Sequence, residues 1–328
     1  MSQSNTSESP PAKRRRMDGA EELTRSDIWH DDGSVVLQVE STLFRVHWSV
    51  ISLHSPFFRG MRDLPQPAEQ PSIEGCPVVV LHDSSEDVQY FLHALYNPHL
   101  FNEEKLSFPF IAAIVRVGRK YDFKNLLAAA VQRLRLENPT TFDKYEAMTR
   151  VEGSTISFTT QLMSSQPGII LDILTLVRES NLFELLPSAY LRALLCHSQE
   201  MILDGVLSSN GRLVKLSFQD QRICILGRQK MSEAQWSHGT FFDWITSDTH
   251  LPGCTGGLGC TATKRIIFYN VLQKAKALAP FTLISVTQLC PVCLSHHQEV
   301  MAEVREDIWE ELPSFFGLPP WGELKNDI

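Results

Sequence analysis

Four of the seven cysteines fall in two pairs, Cys254 with Cys260 and Cys290 with Cys293. The two-residue gap of Cys290-Pro291-Val292-Cys293 lets one turn aim both thiolates at a single ion. Cys254-Thr255-Gly256-Gly257-Leu258-Gly259-Cys260 supplies a second, glycine-rich pair. Four thiolates in two knuckles separated by a helix suit a structural zinc site, with His250, His296 and His297 as replacement ligands. The opposing reading is a set of small buried hydrophobes, and the wide five-residue gap of the first pair keeps it open. A redox role for Cys-x-x-Cys lacks the βαβ surroundings of a thioredoxin-like site.

Other constellations carry less. The glycines from Gly253 to Gly259 precede Lys264, but Arg265 stands where a phosphate loop needs Ser or Thr for magnesium, and no buried strand leads in. Turn flexibility is the better account. There is neither a G-x-S-x-G elbow nor a His-Glu-x-x-His pair. His296 and His297 are sequence neighbours, which point about 100° apart on a helix and cannot share an ion. The acids Glu303, Glu306, Asp307, Glu310 and Glu311 read as a solvated helix face, so no enzyme is expected.

The elements that must position the cysteines are helical. Apolar residues recur at helical spacing in Ile169–Val177 and Tyr190–Leu195, and helices are also read over Phe218–Met231, Phe241–Ile245 and Thr263–Leu278. A terminal helix is expected to start from Ser295 and Gln298, to carry Met301, Val304, Ile308 and Leu312 inward, and to stop at Pro313. The apolar tail Phe315–Trp321 must then dock on something. Only Arg212–Leu216 reads as a short strand, and no fixed-period repeat marks a solenoid.

The first part of the chain reads differently. Asp31-Asp32-Gly33-Ser34 is turn chemistry, Val35–Val39 and Leu43–Val46 are hairpin strands, and the period becomes helical from His47. Ser55-Pro56 opens another turn carrying Phe57, Phe58 and Met61. Val78–Leu81 reads as a strand buried on both faces. Further helices follow: Asp87–Tyr96, one marked by Phe110–Val115, and one capped by Asp122 and stopped by Asn138-Pro139.

Asp27 before a strand, Phe44-Arg45-Val46-His47, Ser55-Pro56-Phe57-Phe58 with Met61, Pro77–Leu81, Asp87–Tyr96 and Lys120–Leu134 together resemble the BTB/POZ domain. The resemblance covers residues 25–136. It implies an α+β domain there; separately, the helical spacing beyond Thr141 reads as an all-helical domain at 140–328, and residues 1–24, almost without large apolar side chains, as a disordered basic tail. The resemblance also implies non-catalytic protein–protein association in a regulatory or scaffold role, most often as a homodimer. The first helix would pack across a two-fold axis, placing His47, Trp48 and Ile51 at the dimer interface, with the His47 imidazole hydrogen-bonded near Asp27. The rival within the family is a substrate adaptor for a cullin-based ubiquitin ligase, using the face of Asp87–Tyr96, although no Kelch-like substrate domain is recognisable. The rival of another class is a zinc-dependent regulator or enzyme built on the C-terminal cysteines. More loosely, Cys-x-x-Cys, a helix and a Leu-Pro-rich end are similar to the C-terminal half of fungal BTB-domain proteins of unassigned role.

Composition bounds the rest. The 328 residues have ordinary apolar content (43%) and charge (21%), as folded proteins do. The net charge of -8 gives no positive field for nucleic acid, so no direct nucleic-acid binding is expected. The longest apolar run, Pro167–Val177, is broken by Asp172, so no membrane partner is expected either. An odd number of scattered cysteines without an export signal suits an intracellular location. Lys13, Arg14, Arg15 and Arg16 match what a nuclear import receptor reads, which would place the protein in the nucleus and otherwise in the cytoplasm.

Overall fold

The computed structural model describes residues 23–64, 71–152, 155–158, 166–237, 239–274 and 288–327. The chain divides into two compact units, residues 1–50 with 65–85, and residues 51–64 with 86–328. The basic cluster Lys13–Arg16 lies outside the described residues.

The smaller unit is built on a mixed sheet of β1 (Thr24–Trp29), β2 (Val35–Val39), β3 (Thr42–Val46), β4 (Ser72–Ile73) and β5 (Cys76–Leu81), in the order β1-β3-β2-β5-β4. The hairpin pairs Val35 with Val46 and Val39 with Thr42. Its two-residue turn holds Glu40 at φ 51, and the Glu40 carboxylate accepts from Ser85 N and Oγ. Alternation along the strands then decides which side chains meet. Val36, Leu43, Cys76 and Val78 form one buried cluster with Trp29 and Ile73 packed against it. The run Val78–Leu81 is not buried on both faces as its continuous hydrophobicity suggested. Val78 and Leu81 are buried, Val79 is half-buried and Val80 is 54% exposed.

The helix α1 (Trp48–His54) bridges the point where the division falls, and α2 (Pro56–Arg62) follows in the larger unit. Ser55 is the N-cap of α2. Its hydroxyl accepts from Phe58 N at 3.1 Å and donates to Tyr121 O at 2.5 Å, so a fully buried side chain satisfies two backbone groups. Phe58, Phe91, Tyr121 and Phe123 pack ring to ring around that point. Next come α3 (Ser85–Tyr96), α4 (Phe108–Lys120) and α5 (Lys124–Glu137). The helix α4 is the central one, with Ile111, Ala112, Ala113, Ile114 and Val115 all buried. Asp122 is not the cap of α5. It takes φ 55, and Phe123 stands at the N-cap position with no side-chain bond.

Beyond these lie α6 (Phe142–Met148), β6 (Thr149–Glu152) paired with β7 (Thr155–Phe158), α7 (Ile169–Glu179), α8 (Leu186–Cys196) and α9 (Gln199–Asp204). They are followed by β8 (Val206–Leu207) paired with β9 (Leu213–Val214), α10 (Phe218–Ser237), α11 (Gly239–Thr246), α12 (Leu258–Lys274) and α13 (Pro291–Phe315). The region is helical as expected, with two short ladders added. The β6–β7 pair was not anticipated.

The helix α13 starts four residues before the expected cap at Ser295 and runs through Pro313, which sits in its last turn. Pro313 has no N–H for the carbonyl of Trp309 four residues back, and the Trp321 indole Nε1 donates to that oxygen at 2.9 Å instead. Met301, Val304, Ile308 and Leu312 are buried and the five acids are exposed, as their spacing required. The tail docks as expected. Phe316 stacks on Tyr190 at 4.9 Å and lies where a Cβ on Gly227 would be, and Trp321 stacks on Trp309 at 5.3 Å.

One ion pair in this unit is almost completely buried. Arg192 on α8 is 1% exposed and Glu137 at the end of α5 is 0% exposed. The guanidinium donates to Glu137 O at 2.5 Å, to Asn138 Oδ1 at 3.2 Å and to Glu137 Oε2 at 3.4 Å. Removing one partner of such a pair leaves the other charged and dry, a loss of about 3–5 kcal/mol. Arg192→Ala should therefore lower the unfolding free energy by about that amount in urea titration. Arg192→Met combined with Glu137→Leu should lose clearly less.

Candidate association surface and cysteine cluster

In the smaller unit, His47 Nε2 lies 3.0 Å from Asp32 Oδ1 and its ring meets that of His30 at 4.9 Å. The hydrogen bond from His47 holds the Asp32 carboxyl below its usual range. The imidazole thus fastens the turn before β2 to the start of α1, and Trp48 N donates to Ser34 Oγ at 2.9 Å beside it. Ile51 is turned inward and only 1% exposed in the single chain, while His47 and Trp48 of the expected interface set are half-buried.

Residues 51–64 present other apolar groups. Leu53 is 67% exposed and Phe57 is 45% exposed, while Phe58 is buried. Sequence reasoning missed Leu53 because α1 is apolar on both sides. Val50, Ile51 and Leu53 look alike until the packing shows which of them points inward.

The groove beside α3 is a separate feature, lined among others by Tyr90, His93, Asn97, Leu106 and Phe110, with a volume of about 510 Å³.

The C-terminal cysteines do converge. The sulfurs of Cys254, Cys260, Cys290 and Cys293 all lie within 4.8 Å of one another. Cys290 Sγ is 3.8 Å and Cys293 Sγ is 3.6 Å from Cys254 Sγ. Two helix beginnings bring them there. The helix α12 starts at Leu258, five residues before the expected Thr263, which puts Cys260 in its first turn. Cys290 is the N-cap of α13 and Cys293 lies in its first turn. Cys254 comes from the loop before α12, whose approach is fixed by Lys264. This buried ammonium donates to the carbonyls of Trp244 at 3.0 Å and Ser247 at 2.6 Å. The lysine that a phosphate loop would have used is therefore spent on backbone oxygens.

Backbone N–H groups point at the sulfurs. Cys290 N donates to Cys260 Sγ at 3.3 Å. The N–H of Cys293, with those of Thr255 and Gly256, pulls the Cys290 thiol down to about 5. Burial pushes the Cys260 and Cys293 thiols up. His250 lies 3.4 Å from Thr261 Oγ1, and His296 and His297 pack on the Trp244 ring at 5.6 and 5.2 Å. Among the described residues, the four thiols alone form a group of three or more donors able to hold a metal ion.

In the family comparison a BTB/POZ domain is found at residues 24–137. Such domains are protein–protein interaction modules. No curated protein matches the chain, and no helix among the described residues is long and apolar enough to cross a membrane.

Burial also sets a pH response. The His297 imidazole is pushed down to about 4, first by desolvation and then by the neighbouring His296. Between pH 6.5 and 4 the unfolded chain takes up a proton there that the folded chain refuses, so stability present above pH 6.5 is lost as pH falls through this window. Wild type should lose stability faster than His297→Leu over that range, by at most about 1.4 kcal/mol per pH unit. Thermal unfolding scans at several pH values would read the difference in slope.

Proposed function

We propose that the chain is a non-catalytic association protein whose BTB/POZ domain pairs with a second copy, in a regulatory or scaffold role. The observation that carries this reading is the exposure of Leu53 and Phe57 on the short helices of a BTB/POZ domain. Two large apolar side chains so close in sequence and so exposed suit an isologous contact, in which each copy offers the same patch. Leu53 lies on the same helix as Trp48 and Ile51, the residues read in the sequence as the interface with His47, and is the more exposed of the apolar ones.

The groove beside α3 supports a second reading, a substrate adaptor for a cullin-based ligase. Its apolar floor of Leu106 and Phe110 with Tyr90 and His93 at the rim suits an apolar anchor from a partner helix. The basic cluster Lys13–Arg16 supports nuclear import of either assembly.

Full-length protein should run as a dimer in light scattering at micromolar concentration. Leu53→Asp with Phe57→Asp should give folded monomer, because two carboxylates at a closed apolar contact would be desolvated without partners. A double variant that stays dimeric, or a wild type monomeric at every concentration, would reject pairing through this face. The adaptor reading predicts that purified cullin N-terminal domain binds wild type, and binds a Tyr90→Asp variant at least tenfold more weakly. Changing Lys13, Arg14, Arg15 and Arg16 to Ala in a fluorescent fusion should move the signal from nucleus to cytoplasm.

A further inference from the structure

We propose that Cys254, Cys260, Cys290 and Cys293 together bind one zinc ion, a closed structural site that locks the loop before α12 to the beginning of α13. A tetrahedral ion with bonds of about 2.3 Å to four sulfurs sets them about 3.8 Å apart. The measured 3.6 and 3.8 Å separations from Cys254 Sγ match that edge, and the whole set lies within 4.8 Å. An iron–sulfur cluster holds several irons and sulfides between its thiolates and needs them farther apart, so the spacing fits a single ion.

Backbone N–H groups face two of the sulfurs: Cys260 Sγ receives the N–H of Cys290 at 3.3 Å, and Cys290 Sγ faces those of Cys293, Thr255 and Gly256. Such N–H donors orient metal ligands and spread the charge that one zinc and four thiolates leave behind. The site also sits where two helices begin, α12 of 17 residues and α13 of 25, and both N-termini favour negative charge. Gly256 explains the glycine-rich spacer. A Cβ there would overlap Cys260 Sγ and touch Cys290 Cβ at 3.5 Å, so the loop closes around the sulfurs only without a side chain.

Four protein ligands leave no position open for water or substrate, which makes the site structural and not catalytic. The Cys-x5-Cys gap that is too wide for an ordinary knuckle is accommodated because its second cysteine already lies on a helix. The three cysteines Cys76, Cys196 and Cys224 lie outside the cluster, and Cys224 serves as a control.

Full-length protein purified under reducing conditions should contain one zinc per chain by elemental analysis. Cys254→Ser and Cys293→Ser should each reduce that to below a tenth, Gly256→Ala should reduce it at least several-fold while keeping all four thiols, and Cys224→Ser should leave it at one. If the cysteine variants do not fold, the wild type alone decides. A strong chelator should release one zinc per chain and make these four cysteines, identified by mass spectrometry, newly reactive to an alkylating agent in the native protein. Cobalt in place of zinc should give the intense visible absorption of a tetrahedral thiolate site. Protein that contains no zinc and takes up none, that holds iron instead, or that carries a disulfide among these four residues in place of a metal would overturn the proposal.

Discussion

A buried guanidinium fixes how α5 and α8 meet in the larger unit. Arg192 can lie inside only because α5 ends beside it, so that the Glu137 carboxylate, the Glu137 carbonyl and the Asn138 amide oxygen all face its nitrogens. The ends of these neighbours are fastened in turn. Asn138 Nδ2 donates to Leu134 O at 2.9 Å, and Ser188 Oγ donates to Pro139 O. A displaced α8 would leave a charge and several polar atoms dry and unpaired, which costs far more than imperfect apolar packing. The segment 137–139 is therefore buried, although Asn138-Pro139 reads as the exposed stop of a helix. A second buried network continues from the same helix. Tyr190 and Arg178 both bond Asp220 Oδ1, and Ser217 bonds Asp220 Oδ2 at 2.6 Å, so α7, α8 and α10 share one carboxylate.

How much of this was legible follows from what each sequence signal measures. Alternation and helical spacing measure burial, and they located the hairpin, α2, α7, α8 and the inward face of α13 within a few residues. They failed where burial is decided by a distant partner. Val80 belongs to an apolar run and is exposed, while Ile51 and Leu53 are equally apolar and face opposite ways. Helix starts were missed by four or five residues at α12 and α13 for a related reason. Their first turns are stabilised by what surrounds the cysteines, with Gly256, Gly257 and Cys290 in positions where Ser or Asp would ordinarily announce a cap. The β6–β7 ladder gave no strong alternation to find. The spacing of the cysteines was enough to group them, but not to bring Cys254 near Cys293, since that depends on α11 and Lys264.

The part of the chain that carries the cysteines has few buried apolar side chains among its described residues. From 242 to 269 these are Trp244, Ile245, Cys260 and Ile267, while Leu258, Ile266 and Tyr269 are exposed. Elements with so small an interior need cross-links to persist, as small domains do. Lys264 supplies one through three carbonyls of the α11 exit. The other, on the zinc proposal, is the ion held by four sulfurs from the loop, α12 and α13. By contrast the far end of α13 needs none, because Trp309 lies fully buried between Tyr145 and Trp321 at 5.0 and 5.3 Å. One helix is thus anchored by aromatic burial at its C-terminal half and by cysteines at its first turn. The polar anchor stands where apolar surface is scarce.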